Sequence, residues 1–207
     1  MSPRRALTAG ARAGTVGGME HRATQGRLLS PAELTRFDAV MRTPFGAVGV
    51  RTEAVGTEDE CVAEIVYLPH GARGISPTDR LARAACEQVE RYLAEPTFRL
   101  ELPLKPVGTR YQRRVWEKIA DIPAGRVRSY GEVAKDLRSG PRAVGQACGA
   151  NFFPLAIPCH RVVASGGIGG FGGTKGVPRI GSARGDNGFH ITIKRWLLAH
   201  EGIAFRG

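Results

Sequence analysis

The sequence lacks the features that mark several broad classes of protein. No run approaches 18 apolar residues, the length at which a segment becomes a candidate transmembrane helix. No two cysteines form a CxxC, and no histidine pair lies near them at the spacing of a zinc site. Hydrophobic residues make up 42% of the 207 residues. This composition excludes a wholly disordered chain, a collagen-like fibre and a disulfide-rich toxin.

Acidic residues are scarce. The chain has 19 Asp and Glu against 30 Lys and Arg, which gives a formal net charge of +11. Such a surplus favours a polyanionic partner, most often nucleic acid and sometimes a membrane surface. Between Lys105 and Arg142 there are ten basic and four acidic residues. The positive charge is therefore concentrated in one segment.

The chain has only four cysteines, Cys61, Cys86, Cys148 and Cys159. Arg12 interrupts any apolar stretch at the start, so a secretory signal is not expected. We expect a cytoplasmic, nucleoid-associated protein, or a nuclear one in a eukaryote, whose thiols stay reduced. Translation could instead start at Met19. The acid-poor, Arg-bearing N-terminal segment also fits a transit peptide.

Three parts follow one another along the chain. Residues 1–26 read as a flexible basic arm. Residues 27–103 read as a small α/β module. It has β-rich runs at Gly46–Ala54 and Cys61–Leu68, and a helix that starts at Ser76-Pro-Thr-Asp. Residues 104–207 form the third part. No chemistry is identified in the small module.

The third part contains a helix-turn-helix pattern. Helices are predicted over Tyr111–Ile122, Ser129–Asp136 and Arg142–Gly149, with Ser129 as an N-cap. On the last of these, Arg142, Gly145 and Gly149 share a face, and an adjacent face carries Ala143, Ala147 and Ala150. This smooth surface fits either tight helix packing or close approach to nucleic acid.

Cys159 is the one cysteine whose neighbours in the sequence could activate its thiol. The apolar run Leu155–Ile157 ends at Pro158, which predicts that Cys159 lies at a buried bend, followed by extended chain. His160 follows it, and imidazole or positive charge lowers the pKa of a thiol. A histidine base needs an orienting acceptor, which Glu201 offers on a predicted helix over Lys194–Glu201. From the residues alone, an inert buried cysteine is the alternative interpretation.

These segments together resemble the O6-alkylguanine-DNA alkyltransferase family. The motifs are Pro-Cys159-His160-Arg-Val, Arg142-Ala-Val-Gly, Asn151, Ser129-Tyr130-Gly-Glu-Val-Ala and Leu197-Leu-Ala-His-Glu201. The resemblance is strong from about Tyr111 to Gly202. It is weaker over 43–103, where Thr43-Pro-Phe-Gly resembles the family's opening strand, and it does not cover residues 1–26.

The resemblance implies an α+β fold with a ribonuclease-H-like module and a mostly helical, winged-helix-like domain. It implies that the protein flips O6-alkylguanine, and also O4-alkylthymine, out of double-stranded DNA through the minor groove. The alkyl group would pass irreversibly to Cys159 in a single turnover, without cofactor or metal. A monomer that does not bind membranes is expected.

The resemblance also assigns residues to roles. His160 would take the thiol proton through a water, Glu201 would orient His160, and Tyr130 would donate to the departing guanine. Asn151 would brace the turn before Cys159, and Arg142 would fill the space that the flipped base leaves. The other DNA contacts would be Ser129, Ala143, Gly145, Gln146 and Gly149. The substrate pocket would be lined by Val162, Phe171, Gly172 and Gly173.

The sequence departs from the family in the stretch after Gly166. Phe171 stands where relatives usually have tyrosine, and an inserted loop of about 174–190 follows. The loop is either a solvated excursion or an extra DNA contact. Two other functions remain open, namely a non-catalytic sensor of alkylated guanine and a cysteine hydrolase. Cys159 argues against the sensor, and repeated turnover would mark the hydrolase.

Overall fold

The computed structural model describes residues 35–55, 59–170 and 187–204. Its first part is an antiparallel sheet of three strands in the order β1-β2-β3. The strands are β1 (Ala39–Thr43), β2 (Gly46–Val55) and β3 (Asp59–Leu68). The two β-rich runs predicted from sequence are thus confirmed. The predicted arm over 1–26 lies outside the described residues.

The segment Thr43-Pro-Phe-Gly is a hairpin turn and not an opening strand. Thr43 pairs with Gly46 across the turn, and the strand precedes it at Ala39–Thr43. Gly46 has a φ of +136°, and a Cβ there would lie 2.4 Å from the carbonyl oxygen of Leu68. Glycine therefore allows the tight hairpin that the strand prediction overlooked.

Helix α1 (Arg80–Ala94) packs against this sheet. Its buried residues are Ala82, Ala85, Val89 and Tyr92, which follow the helical repeat. The predicted start at Ser76 is wrong, because Asp79 is the N-cap and accepts a hydrogen bond from the amide of Ala82 at 2.7 Å. The other carboxylate oxygen of Asp79 accepts from the Thr52 hydroxyl at 2.6 Å, which ties the helix start to β2.

The helix-turn-helix pattern is confirmed. It consists of α2 (Arg110–Ala120), α3 (Tyr130–Asp136) and α4 (Pro141–Gly149). Ser129 is the N-cap of α3, as predicted, and forms a capping box with Glu132. Pro141 occupies the first turn of α4, where its missing N–H costs nothing.

The remaining elements bring the two ends of the third part together. A 3₁₀ helix (Cys159–Arg161) leads into β5 (Val162–Val163), which pairs in parallel with β4 (Arg128–Ser129). Helix α5 (Asn187–His200) completes the described chain. The helix begins before the predicted start at Lys194, so residues 187–190 of the predicted loop are helical. Residues 174–186 lie outside the described ranges.

One hydrophobic core includes residues of both the N-terminal module and the helical part that follows it. It includes Val48 and Ile65 from the sheet and Val115, Val144 and Leu197 from the helices. The indole of Trp116 on α2 donates to the carbonyl oxygen of Ala147 on α4 at 2.8 Å. The predicted α+β class is confirmed. Within the described residues, no helix is long and apolar enough to cross a membrane.

Candidate active site and nucleic-acid interface

Cys159 begins the 3₁₀ helix directly after Pro158 and is 7% exposed. Its amide donates to the carbonyl oxygen of Ile157 at 2.8 Å, which closes the bend predicted from the proline. The expectation of extended chain at the cysteine is wrong, because the extended backbone begins at Val162. Burial raises the pKa of the Cys159 thiol. The thiol is therefore protonated at neutral pH and needs a base before it can act as a nucleophile.

Asn151 holds the cysteine bend together. Its Nδ2 donates to the carbonyl oxygen of Ile157 at 2.8 Å and to the Sγ of Cys159 at 3.3 Å. Its Oδ1 accepts from the amide of Phe153 at 2.9 Å. Donation to sulfur favours the thiolate, so this amide opposes part of the effect of burial on the pKa of Cys159.

His160 lies beside Glu201, as the family resemblance implies. The Nε2 of His160 is 2.8 Å from Oε1 of Glu201, and the imidazole is 1% exposed. Burial lowers the pKa of His160 and outweighs the opposing effect of Glu201, so the ring is neutral near pH 7. Its Nδ1 is buried and has no hydrogen-bond partner among the described residues. This nitrogen is the one that can accept a proton.

The carboxylate of Glu201 lies within hydrogen-bond distance of three residues, His160, Arg161 and Tyr92. Arg161 donates from Nε to Oε2 at 3.0 Å and from Nη2 to Oε1 at 2.9 Å, and the hydroxyl of Tyr92 donates to Oε1 at 2.8 Å. Burial alone would raise the pKa of Glu201, but the hydrogen bonds and charges of His160 and Arg161 lower it to about 2. The carboxylate is therefore ionised and can orient the imidazole.

Tyr130 stands at the start of α3 with its ring between two glycines. A Cβ on Gly145 would lie 3.9 Å from the ring, and one on Gly169 would lie 3.2 Å from it. The hydroxyl donates to the carbonyl oxygen of Gly170 at 2.9 Å. Burial raises the pKa of Tyr130, so the phenol keeps its proton and remains a donor.

Lys194 lies beneath the same carbonyl and is 0% exposed. Its Nζ donates to the carbonyl oxygens of Val162 at 2.7 Å and Gly170 at 3.0 Å. Burial lowers the pKa of this lysine to about 8. The side chain of Val162 is fully buried in the core, and its place in the substrate pocket stays a prediction. Phe171, Gly172 and Gly173 lie outside the described residues.

The recognition helix α4 presents a narrow exposed face. Arg142 and Gln146 are exposed, and Ala143, Gly145 and Gly149 are half-buried beside them. Ala147 and Ala150 are buried in the core, so the adjacent alanine face expected from sequence is not a free surface. Two long polar side chains on a row of small residues suit entry into a groove of DNA.

Sequence reasoning missed three residues of this site, namely Tyr92, Arg161 and Lys194. Lys194 offered a signal, since it falls on the apolar stripe of α5 between Ile193 and Leu197, where a charged side chain needs a reason. Tyr92 offered none, because its helix shows an ordinary core pattern. In the part of the chain that the structure describes, no group of three His, Cys, Asp or Glu side chains is placed to hold a metal ion.

Fold and site define a class of protein, a helix-turn-helix protein with a buried cysteine linked to a histidine and a carboxylate. A family model described as "6-O-methylguanine DNA methyltransferase, DNA binding domain" matches residues 110–203. A methylated-DNA–protein-cysteine methyltransferase of Methanosarcina acetivorans is 39% identical over 122 residues, which cover 58% of this chain and 69% of that protein. The chain belongs to this family of O6-alkylguanine-DNA alkyltransferases.

Other relatives match over a shorter part. A methylated-DNA–protein-cysteine methyltransferase of Archaeoglobus fulgidus is 44% identical over 84 residues, which cover 41% of this chain and 57% of that protein. A relative from Mycolicibacterium paratuberculosis is matched over 62% of its length. The crystal structure of Mycobacterium tuberculosis OGT in complex with DNA superposes with a TM-score of 0.58 at 28% identity. That superposition covers 79% of this chain and 91% of the other.

Proposed function

We propose that this protein repairs alkylated DNA by direct reversal. It flips O6-alkylguanine, mainly O6-methylguanine and also O4-alkylthymine, out of the duplex and transfers the alkyl group to Cys159. The observation that carries the proposal is that two hydrogen-bonded pairs meet at adjacent residues, Asn151 with Cys159 and His160 with Glu201, in the part of the chain that also holds the recognition helix.

The first step prepares the nucleophile. The buried thiol of Cys159 is protonated, while the buried imidazole of His160 is neutral and its Nδ1 is unpartnered among the described residues. The thiol proton passes to Nδ1 through a bridging water, and the imidazolium that forms is stabilised by Glu201 at 2.8 Å. Asn151 and Lys194 stabilise the thiolate.

The second step moves the alkyl group. The sulfur attacks the alkyl carbon, so that a C–S bond forms while the C–O bond to the guanine oxygen breaks. Guanine leaves poorly as an anion, and the protonated phenol of Tyr130 lowers this cost by hydrogen bonding to it. The product is a thioether without a carbonyl for water to attack, so the thiol is not regenerated. One molecule repairs one lesion without a cofactor.

The recognition helix supplies the DNA side. The small residues Ala143, Gly145 and Gly149 let α4 approach the minor groove closely, and Arg142 enters the stack in place of the flipped base. Ser129 contributes through the N-terminus of α3, which it caps. One chain supplies every residue that this mechanism uses, so a monomer is sufficient for it.

Intact-protein mass spectrometry tests the proposal. The wild type is incubated with duplex DNA that contains O6-methylguanine, and we expect the mass of one methyl group to appear once per chain and map to Cys159. Cys159→Ser should gain no mass and still bind DNA, while Cys148→Ser, the matched thiol control on α4, should react. Binding without transfer by the wild type would indicate a damage sensor, and repeated turnover would indicate a hydrolase.

A further inference from the structure

Tyr92 connects the N-terminal module to the reaction site. It lies on α1 and is 2% exposed, and its hydroxyl donates to Oε1 of Glu201 at 2.8 Å across 109 residues of sequence. The other donors to this carboxylate, His160 and Arg161, are adjacent in the 3₁₀ helix. Tyr92 thus brings a hydrogen bond from a separate part of the chain to the histidine–carboxylate pair.

The hydroxyl of Tyr92 meets the same oxygen as the imidazole. Oε1 of Glu201 accepts from Tyr92 at 2.8 Å and from Nη2 of Arg161 at 2.9 Å, and it lies 2.8 Å from Nε2 of His160. Donors on one oxygen share its negative charge. The hydroxyl therefore affects both the direction of the lone pair that His160 uses and the strength with which Glu201 stabilises an imidazolium.

A second contact fixes Tyr92 in this position. The Nε2 of His200, at the end of α5, donates to the backbone carbonyl oxygen of Tyr92 at 3.0 Å. The two rings meet edge to face with centroids 5.3 Å apart. Because His200 is next to Glu201 in the chain, both ends of Tyr92 are tied to the same turn of α5. A buried tyrosine hydroxyl needs a hydrogen-bond partner, and here that partner is the carboxylate paired with His160.

We propose that Tyr92 is a positioning residue for alkyl transfer, which acts through Glu201 to orient His160 and to set its basicity. The inference rests on the proposed function, and it gives the N-terminal module a part in the chemistry. The hydroxyl touches neither the thiol nor the substrate. Its removal leaves Cys159, His160, Glu201 and the recognition helix in place.

The direction of the effect on His160 follows from the groups around it. Besides Glu201 and Tyr92, the charged or titratable groups that face the pair are Tyr67 on β3, Cys159 and Arg161 on the 3₁₀ helix, and Lys194 on α5. A Tyr92→Phe substitution changes none of these. It returns to Oε1 the charge that the hydroxyl withdrew, so the imidazolium is better stabilised and the pKa of His160 rises.

The experiment compares wild type with Tyr92→Phe in the reaction with free O6-benzylguanine across pH. A neutral His160 is required, so a raised pKa moves the acidic limb of the rate profile to higher pH. Looser orientation of the imidazole should slow the plateau rate about 10-fold. DNA affinity should be unchanged. Tyr111→Phe, on α2, is the matched control. It also removes one tyrosine hydroxyl, which lies 2.7 Å from the Oγ of Ser139 and does not contact Glu201.

A double-mutant cycle separates positioning from packing. In the Glu201→Gln background, Tyr92→Phe should lower the rate little further, because the carboxylate through which Tyr92 acts is already absent. Equal rate losses in both backgrounds, or an unchanged pH profile in Tyr92→Phe, would overturn the proposal. If Tyr92→Phe does not fold, His200→Ala loosens the same tyrosine. It should then move the acidic limb in the same direction but by less, and an unmoved limb would overturn the proposal.

Titration of the His160 ring by NMR gives a readout that needs no alkyl transfer. An upward shift of the pKa of His160 in Tyr92→Phe supports the proposal even before a rate is measured, and an unshifted pKa overturns it. If the wild type transfers no alkyl group to Cys159, the proposed function fails. If the wild type transfers normally and Tyr92→Phe behaves like Tyr111→Phe, only the role of Tyr92 fails.

Discussion

The amide nitrogen of Asn151 lies 3.3 Å from the sulfur of Cys159 and 2.8 Å from the carbonyl oxygen of Ile157. One side chain therefore both closes the bend that carries the thiol and donates to the sulfur itself. The remaining atom of the amide, Oδ1, is taken by the backbone of Phe153. The three contacts use both N–H donors and the acceptor oxygen of the amide.

We expect Asn151→Asp to slow alkyl transfer strongly. The aspartate keeps the acceptor for Phe153 but loses both donations and places a negative charge beside the sulfur, so the pKa of Cys159 rises further. A lost hydrogen bond to a charged group costs about 1.5–3 kcal/mol, which corresponds to a rate about 10- to 150-fold lower. Thiol titration by absorbance and the free-base rate measure both effects. Gln112→Glu, a similar change on α2, is the control, and a wild-type rate in Asn151→Asp would contradict the role.

Arg142→Ala should impair repair in duplex DNA far more than reaction with free O6-benzylguanine. The side chain is exposed at the start of α4, where it would replace the flipped base in the stack. Unstacking costs a few kcal/mol, so a loss of about 10- to 1000-fold on the duplex is expected. Arg83→Ala removes the same charge from the exposed side of α1 and should affect neither reaction. Equal losses on duplex and free base would place Arg142 in the pocket or the fold instead.

Gly169→Ala should disturb Tyr130. Gly169 has a φ of +70°, and a Cβ there would lie 2.9 Å from the amide nitrogen of Ala164 and 3.2 Å from the Tyr130 ring. The backbone must shift, and with it the Gly170 carbonyl to which Tyr130 donates. We expect the melting temperature to fall and the free-base rate to drop about 10-fold. Gly166→Ala, in the same segment with nothing within 4 Å of its Cβ, is the control. Equal melting temperatures and free-base rates in the two variants would show that the close contact between Gly169 and Tyr130 does not matter.

Lys194 should make stability depend on alkaline pH. Its pKa is about 8 in the folded protein and higher in the unfolded chain, which therefore binds more protons above pH 8. The free energy of unfolding gains from this lysine as pH rises from about 8 to 10.4, by up to about 3 kcal/mol. Urea unfolding of wild type and Lys194→Met across this range should show a pH-dependent difference. Lys135→Met, at an exposed site of α3, controls for loss of a lysine, and a constant difference for Lys194→Met would refute the prediction.

The local parts of the fold could be predicted because their signals are local. The start of α3 follows from Ser129 and Glu132, which form a capping box within four residues. The pairing of His160 with Glu201 came from a motif shared with a family. Contacts between segments far apart in the chain have no such local signal in the sequence. Tyr92 looks like any core aromatic until the fold places it against Glu201. The first helix begins after the predicted start at Ser76, where Asp79 caps it and also binds Thr52.

The contact between Trp116 and α4 has a use beyond packing. The chain has two tryptophans, and Trp196 stacks on the ring of His200 with centroids 4.7 Å apart, away from the recognition helix. Trp116 is buried, and its indole nitrogen is bonded to the backbone of the recognition helix at Ala147. Its emission wavelength therefore responds to any movement of α4 against the rest of the domain. The protein carries a built-in optical reporter of its recognition helix, readable in the Trp196→Phe background without an attached dye.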